Sequence, residues 1–513
     1  LEAARRIGYP IMIKALAGGG GRGMRLVMEE ADFVASLQSA QAEAQSAFGD
    51  KRVMLEKAVL SPRHVEIQVL ADQFGHAIHL GERDCTVQRR HQKIVEEAPS
   101  PAVDSALRAR MGEAALKLVA ATHYVGAGTV EFLLNPEGEF FFIEMNTRLQ
   151  VEHGVTELIT GVDLVQWQLK IAAGLPLTLQ QQDIQWTGHA IQGRLCAEDP
   201  GKDFLPQTGP VLRWSIPQGP HIRIDHAIIE GAEVSPWYDS MLAKVMVHAP
   251  NRQQACVALS DALSRTELVG FEHNTEYLQR IAEHAVFQSG EFSTAYLGQY
   301  GSDLLQIPSL IAADAQAVAS VILATQPLNS LSNGPVWPPA LQGFSSTRAL
   351  DRPTRLRLGG HEGKPQEWRV SPKGRGQFSI HPAGSDAALE LSDWQCQTQA
   401  GGFQVRCQLN GDSKQFVVLP QAGGLWVKAH RAARALWVED HTLLADASQS
   451  EGQFQAQVKS PMNGKLTRME VQVGQVVKAG EVLACLEAMK MEHRMTARHD
   501  AVVEAVLADV GQQ

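Results

Sequence analysis

Val130-Glu131-Phe132-Leu133-Leu134, then Asn135-Pro136-Glu137-Gly138, then Phe140-Phe141-Phe142-Ile143-Glu144-Met145-Asn146-Thr147-Arg148-Leu149-Gln150-Val151-Glu152-His153 is the stretch on which the fold turns. Two apolar runs, each carrying a carboxylate, flank a Pro/Gly turn, a pattern that predicts a β-hairpin. An acidic residue on each strand can face one anionic ligand. Hard oxygen donors beside a phosphate chain suit Mg²⁺, which takes one or two carboxylates and keeps its waters. Glu131 and Glu144 are the candidate ligands, with Asn146 assisting. Glu144 lies in an apolar run, where an unpaired buried carboxylate is costly and a metal removes the objection. The plain alternative is a solvated strand face. Beyond Asn146, Arg148 and Gln150 alternate on a segment that reads as extended, and Glu152 shares their side. A guanidinium, an amide and a carboxylate can together hold a small planar oxyanion, with Glu152 as general base.

Upstream, Lys14 follows the apolar strand Pro10-Ile11-Met12-Ile13 and precedes Ala15-Leu16-Ala17-Gly18-Gly19-Gly20-Gly21-Arg22-Gly23-Met24. Glycines let backbone N–H groups approach phosphates, and Lys14 adds positive charge. The spacing is not that of a P-loop, and a glycine run alone also reads as a linker. Glu56-Lys57-Ala58-Val59 ends another strand, and His64-Val65-Glu66-Ile67-Gln68 follows. The run Glu82-Arg83-Asp84-Cys85-Thr86-Val87-Gln88-Arg89-Arg90-His91-Gln92-Lys93 is dense in charged and amide groups. Taken singly, His64 or His91 reads as an ordinary surface or core histidine.

Across residues 1–300 strands alternate with helices: Ile11–Lys14, Val53–Lys57, His64–Leu70, Ala77–Leu80, Val130–Leu134 and Phe140–Glu144 read as strands, and Ala31–Phe48, Ser105–Thr122 and Leu164–Ala173 as helices. That is α/β or α+β patterning. Residues 301–446 open on a helix-like stretch, Ala312–Ala324, continue through a Pro/Ser/Asn-rich loop, Gln326–Pro339, and then carry short strands such as Phe403–Leu409, Gln415–Leu419 and Leu425–Ala429. They predict a helix plus an antiparallel β domain. Residues 447–455 read as a linker. Residues 456–513 form a β module with an internal repeat: 464–475 matches 501–512 in apolar pattern. The two halves should pair about a pseudo-twofold, with Glu487–Met491 at a turn between them. Lys490 at that tip, flanked by Met489 and Met491, suits covalent attachment of a prosthetic group, and the methionines offer an adaptable surface to a modifying enzyme.

A chain of 513 residues, 44% hydrophobic and 20% charged, has room for three or four domains, each with a core. The net charge of −10 argues against non-specific nucleic-acid or acidic-membrane binding. Six scattered cysteines form no CxxC pair, so a reducing compartment is expected, and no apolar run is long enough to span a membrane. The first ten residues read as the end of a helix entering a strand. The second repeat stops at Gln513 without a counterpart of Val476–Leu483. The chain therefore reads as a fragment cut at both ends.

These motifs together resemble a known family. Ala488-Met489-Lys490-Met491, with Ser460-Pro461-Met462 upstream, resembles the biotinyl domain of biotin-dependent carboxylases, which makes Lys490 the biotinyl-lysine. A lipoyl domain shares the hairpin, but its lysine usually follows Asp and lacks the Met pair. The glycine loop resembles that of ATP-grasp enzymes. Glu144–His153 follows the biotin carboxylase signature almost completely, with Gly154 where that family commonly has Pro, a change expected to loosen the turn. The resemblance implies a multidomain α/β and β chain: a partial ATP-grasp small subdomain (1–60), the remaining ATP-grasp and C-terminal biotin carboxylase region (61–300), a subunit-docking domain (301–446) and a partial biotinyl carrier (456–513). A Rossmann-like subdomain with a further ATP-binding lysine would precede Leu1.

The same resemblance places Lys14, Gly20 and Gly21 on the phosphates, Glu56 and Val59 at the adenine hinge, and His64, Gln88 and His91 on the nucleotide. It places Mg²⁺ or Mn²⁺ at Glu131, Glu144 and Asn146. Lys93, Arg148, Gln150, Val151 and Glu152 fall around bicarbonate, and Arg194 on the biotin enolate. A structural ion pair of Arg194 with Glu198 or Asp199 is the plain alternative. ATP would phosphorylate bicarbonate deprotonated by Glu152, carboxyphosphate would release CO₂, and phosphate would deprotonate the biotin ureido nitrogen that captures it. The implied partners are a separate carboxyltransferase β subunit, in a hetero-oligomer, and biotin protein ligase. The Lys490 surroundings look more like 3-methylcrotonyl- or geranyl-CoA carboxylase than the propionyl enzyme. The implied compartment is the bacterial cytoplasm or the mitochondrial matrix. Two rival readings stand: a catalytically silent carrier and docking scaffold, and an ATP-grasp ligase fused to a lipoyl carrier.

Overall fold

A computed structural model describes residues 1–17, 23–305, 309–325, 351–359, 364–374, 376–385, 387–399, 401–442, 458–460, 464–489 and 491–512. Gly20 and Gly21, the Gln326–Pro339 loop, the 447–455 linker, Pro461, Met462 and Lys490 lie outside them.

The first unit is a three-stranded antiparallel sheet. β1 (Ile11–Ala15) lies between β2 (Arg25–Val27) and β3 (Val53–Lys57). Helices α1 (Glu2–Ile7) and α2 (Phe33–Phe48) cover it, through Ala4, Phe33 and Ala40 against Ile11, Ile13 and Val27.

The second unit is one eight-stranded sheet built from β4 (Arg63–Ala71), β5 (Ala77–Arg89), β6 (Gln92–Ala98), β7 (Gly126–Leu134), β8 (Phe140–Asn146), β9 (His189–Cys196), β10 (Ile222–His226) and β11 (Met241–Ala249). Its order is β10-β11-β9-β6-β5-β4-β7-β8, antiparallel at every pairing. Side-chain alternation explains how both faces are used. Val65, Ile67 and Val69 of β4 and Val130, Phe132 and Leu134 of β7 pack on α3 (Ser105–Thr122). The intervening His64, Glu66, Gln68, Thr129 and Glu131 therefore face the other way, and they are buried there too. At the other end, Ile191, Leu195, Val245 and Val247 join a core with Leu259, Leu263, Leu278 and Ile281.

In the third unit the Ser309–Thr325 helix is buried almost all round from Asp314 to Ile322. A helix buried on every side needs a surrounding core. A closed eight-stranded barrel, Arg352–Leu358 to Leu436–Asp440, supplies it: Val318 and Ile322 share a core with Leu356, Val370, Ile380, Val405, Val418 and Val427. Arg434, paired with Glu272 at 2.7 Å, ties the barrel to the preceding unit.

The fourth unit is the repeat module. Val482–Ala488 and Met491–Thr496 form a hairpin, and Val476–Val477 pairs with Ala501–Val502 across the two halves. Among the described residues no helix is long and apolar enough to cross a membrane, and all six cysteines are free thiols.

Candidate active site

The polar face of the large sheet carries a row in register. Arg83 lies opposite Glu66, Glu66 opposite Glu131, and Glu131 opposite Glu144, across β5, β4, β7 and β8. The β7–β8 ladder shifts just past Glu131, so β8 bulges beside Glu144, a device that re-aims side chains. Arg83 is fully buried and spends its fork on Glu66 (2.6 Å), Gln68 (2.7 Å), Thr156 (3.0 Å), Thr129 (3.1 Å) and Gln150 (3.0 Å).

Lys93 is the hub. Its Nζ donates to Glu66 at 2.6 Å, Glu131 at 3.0 Å and Glu152 at 2.7 Å, one carboxylate for each N–H. Burial works against the ammonium, but Cys85, Glu66, Glu152 and Glu131 around it raise its pKa far above the ordinary lysine value. Burial likewise pushes Glu131 up, yet His64 and Lys93 overcome it and hold Glu131 far below the usual carboxylate range. Gln150 (2.8 Å) and Asn146 (3.0 Å) donate to the same Glu131 oxygen, Oε1. His64 Nε2 makes an ion-pair contact with Glu131 Oε2 at 3.1 Å, short of hydrogen-bond alignment.

Glu152 is buried and shared. Oε1 takes Lys93, and Oε2 takes Arg194 at 2.9 Å. Burial and Glu66 raise its pKa, but Lys93, Arg194 and Arg83 outweigh them, so the carboxylate is held ionised below its usual range. Arg194 reaches across to Glu96 through Nε at 2.5 Å. Four buried carboxylates (Glu66, Glu96, Glu131, Glu152) thus face three cations (Arg83, Lys93, Arg194). Such a cluster is costly to bury and poor as a device for stability, which points to chemistry.

Several expectations need correction. The 147–152 segment is not extended: it bends at Arg148 and turns at Val151–Glu152, with Glu152 at φ −82°, ψ 4° capping α4 (His153–Thr160). Gln150 and Glu152 still meet in the cluster because of that bend, while Arg148 is exposed and, among the described residues, donates to Asn146 Oδ1 (3.4 Å) and the Leu149 carbonyl (3.3 Å). Val151 is half-buried, its carbonyl held by Lys244 at 3.1 Å. Glu144 is exposed rather than buried, because β8 is the sheet edge. Arg194 pairs with neither Glu198 nor Asp199; Glu198 is taken by Arg89 (3.3 Å) and Ser240 (2.7 Å). Gly154 sits in the first turn of α4, packed under Met246, not in a loosened turn.

Of the residues expected at the nucleotide, Lys14 and Glu56 form an ion pair on one face of the small sheet, and half-buried Val59 follows β3. Gln88, half-buried, lies opposite Lys93. Arg90 and His91 form the tip between β5 and β6 with φ of 49° and 66°, a left-handed pair that normally favours Asn-Gly. Desolvation, then His64 and Lys14, lower the His91 pKa, so all three lie within electrostatic reach. In the carrier, Ala488 pairs with Met491 across a turn where Met489 has φ 47°. Met489 is buried, so it does not offer the expected surface.

Sequence reasoning missed the roles of Glu66, Arg83, Glu96 and Gln192. The available signal was charge inside otherwise strand-like runs, and it pairs only through distant neighbours.

The donor set fits Mg²⁺: Glu131, Glu144 and Asn146 share one face of the β7–β8 hairpin and offer it oxygen atoms. Residues 1–180 match the family described as Carbamoyl-phosphate synthase L chain, ATP binding domain. Residues 192–299 match Biotin carboxylase C-terminal domain, and residues 456–513 match Biotin-requiring enzyme. The biotin carboxylase domain of Hydrogenobacter thermophilus 2-oxoglutarate carboxylase, solved with MgADP and bicarbonate, is similar at 44% identity and TM-score 0.59, over 60% of this chain and 68% of that one. The sheet is thus that of a biotin carboxylase of ATP-grasp type. The match also runs beyond that domain. Over the whole chain, the methylcrotonoyl-CoA carboxylase subunit alpha of Rattus norvegicus is 39% identical, with 72% of its length covered. The propionyl-CoA carboxylase alpha chain of Ruegeria pomeroyi is 38% identical, with 77% covered. The chain belongs to the family of alpha subunits of acyl-CoA carboxylases, the ligase-type biotin carboxylase component that carries a biotinyl domain.

Proposed function

We propose that this chain carboxylates biotin borne on its own Lys490, using ATP and bicarbonate, for transfer to an acyl-CoA by a separate carboxyltransferase subunit. The observation that carries the reading is Glu152 clasped between Lys93 (2.7 Å) and Arg194 (2.9 Å) in a buried site. Bicarbonate is an anion and competes for those two cations. As Lys93 and Arg194 turn to it, Glu152 loses the charges that depress its basicity and becomes able to take the bicarbonate proton. Gln150, fixed by Arg83, and the Val151 backbone, fixed by Lys244, shape the pocket; Arg148 stands at its mouth.

Glu131, Glu144 and Asn146 hold the metal, and Lys14, Gly20 and Gly21 take the phosphates. Glu56 and Val59 meet the adenine end, and His64, Gln88 and His91 orient the nucleotide. Mg²⁺ supplies charge neutralisation on the triphosphate, and biotin supplies the nitrogen that receives the carboxyl group. The barrel with its buried helix is the surface for the carboxyltransferase, and biotin protein ligase acts at the Lys490 hairpin. The acyl-CoA is of the 3-methylcrotonyl or geranyl type, a reading that the methylcrotonoyl-CoA carboxylase relatives support. The mitochondrial and bacterial relatives support a reducing compartment.

The test is label transfer. The biotinylated protein is incubated with MgATP and radiolabelled bicarbonate. Label should appear on the peptide containing Lys490 and vanish when avidin blocks biotin. Biotin present on Lys490 with no ATP-dependent label would leave the scaffold reading in its place.

A further inference from the structure

One buried carboxylate at this site has no part in the chemistry above. Glu96 on β6 is fully buried, and both its oxygens are engaged. Oε1 receives Arg194 Nε at 2.5 Å, and Oε2 receives Gln192 Nε2 at 3.0 Å. Gln192 is also fully buried and lies directly opposite Glu96 in the β6–β9 ladder, two residues before Arg194 on the same face of β9. The three side chains form one unit braced by the middle of the sheet. Arg194 then spans from this rigid anchor to Glu152, which sits on the turn that caps α4.

Two carboxylates therefore divide one guanidinium. An arginine with a single carboxylate partner closes on it bidentately, the strongest form of the pair. Glu96 holds Nε, which closes the side-on Nε/Nη2 fork to Glu152, and Glu152 receives one N–H, from Nη2, at 2.9 Å. We propose that Glu96 is a positioning residue for biotin carboxylation: it anchors Arg194 at Nε so that the guanidinium stays aimed at the substrates and does not fork around Glu152. The inference rests on reading Glu152 as the base. Burial raises the Glu96 carboxyl, Arg194 opposes it and Glu152 raises it further, so the two carboxylates feel each other across the arginine.

Removing the anchor has two consequences. Arg194 gains freedom, which lowers turnover. It also pairs more fully with Glu152, which lowers the pKa of the base. A merely structural carboxylate would produce neither the second effect nor a rescue by charge.

The experiment compares the full chain with Glu96→Gln and Glu96→Asp, using free biotin as acceptor and titrating bicarbonate at pH 5.5 to 9. Glu96→Gln is expected to lower kcat by about 10- to 100-fold, the range for outer positioning partners. The KM for ATP should stay within about twofold, and the acidic limb of kcat, which reports the bicarbonate-bound enzyme, should move to lower pH. Glu96→Asp should recover part of both. A folded Glu96→Gln protein with unchanged kcat and limb overturns the inference, as does a loss of rate with the limb unmoved. If Glu96→Gln fails to fold, Gln192→Leu removes the brace behind Glu96; a smaller shift in the same direction supports the inference, and no shift overturns it. Failure of the wild-type chain to carboxylate biotin would instead strike the proposed function itself.

Discussion

Replacing Lys93 with Met removes the cation at the centre of the cluster while keeping most of its volume. Three carboxylates lose a partner at once: Glu66 at 2.6 Å, Glu131 at 3.0 Å and Glu152 at 2.7 Å. Each keeps some compensation, Glu66 from Arg83 (2.6 Å), Glu152 from Arg194 (2.9 Å) and Glu131 from His64 (3.1 Å). Breaking a buried pair by removing one partner costs about 3–5 kcal/mol, and the remaining partners favour the lower end, about 3 kcal/mol. At about 2–4 °C per kcal/mol for a unit of this size, the melting midpoint of the carboxylase region should fall by about 6–12 °C. The loss should depend on pH. Glu66, Glu131 and Glu152 are all held below their ordinary range, so their native stabilisation is present above the unfolded carboxylate pKa of about 4.3 and is lost as pH falls through the folded values. Without Lys93 those folded values rise, and a proton taken up in mild acid relieves the repulsion. Calorimetry at pH 8, 7, 6 and 5 should show the gap between wild type and variant widest at pH 8 and narrowing toward pH 5. A midpoint within about 1 °C of wild type at pH 8, or a gap indifferent to pH, would refute the reasoning.

Other substitutions probe separate parts of the account. Glu152→Gln should abolish bicarbonate-dependent turnover while affinity for an ATP analogue, measured by calorimetric titration, stays within about twofold. Burial brings the Lys428 pKa down to about 8 against Glu267, so between about 8 and 10.4 the unfolded chain binds more protons and wild-type stability rises with pH. Lys428→Met should be more stable than wild type at pH 7, by at most about 3 kcal/mol, with a flat profile over that window in denaturant melts. A Cβ at Gly154 would meet Met246 Sδ at 2.3 Å, although proline suits the first turn of a helix. Gly154→Pro should therefore cost about 1–3 kcal/mol, and a double-mutant cycle with Met246→Ala should show a coupling of about 1 kcal/mol or more.

The elements legible in the sequence are those fixed by local chemistry. The helix Ser105–Thr122 starts where expected because Asp104 caps it, accepting from the Leu107 N–H at 2.7 Å. The β7–β8 hairpin is legible because Asn135–Gly138 is a turn in any context. The strand expected to end at Leu80 instead continues to Arg89, because Glu82, Arg83 and Asp84 are buried against partners far along the chain: Arg108, Glu66 and Arg63. No local pattern separates such residues from a solvated surface. The same holds for Glu96 beside Glu97, which the sheet buries against Arg194 and His189 from a distant strand. Glu131, Gln150 and Glu152 were recognisable by type and spacing, but the bend that brings Gln150 and Glu152 together is a tertiary feature.

The most direct test of the central claim is ADP release by the purified chain with MgATP and free biotin, with and without bicarbonate. The account predicts ADP formation that requires bicarbonate, saturates with it and disappears in Glu152→Gln. ATP cleavage indifferent to bicarbonate, or equal in Glu152→Gln, would contradict it.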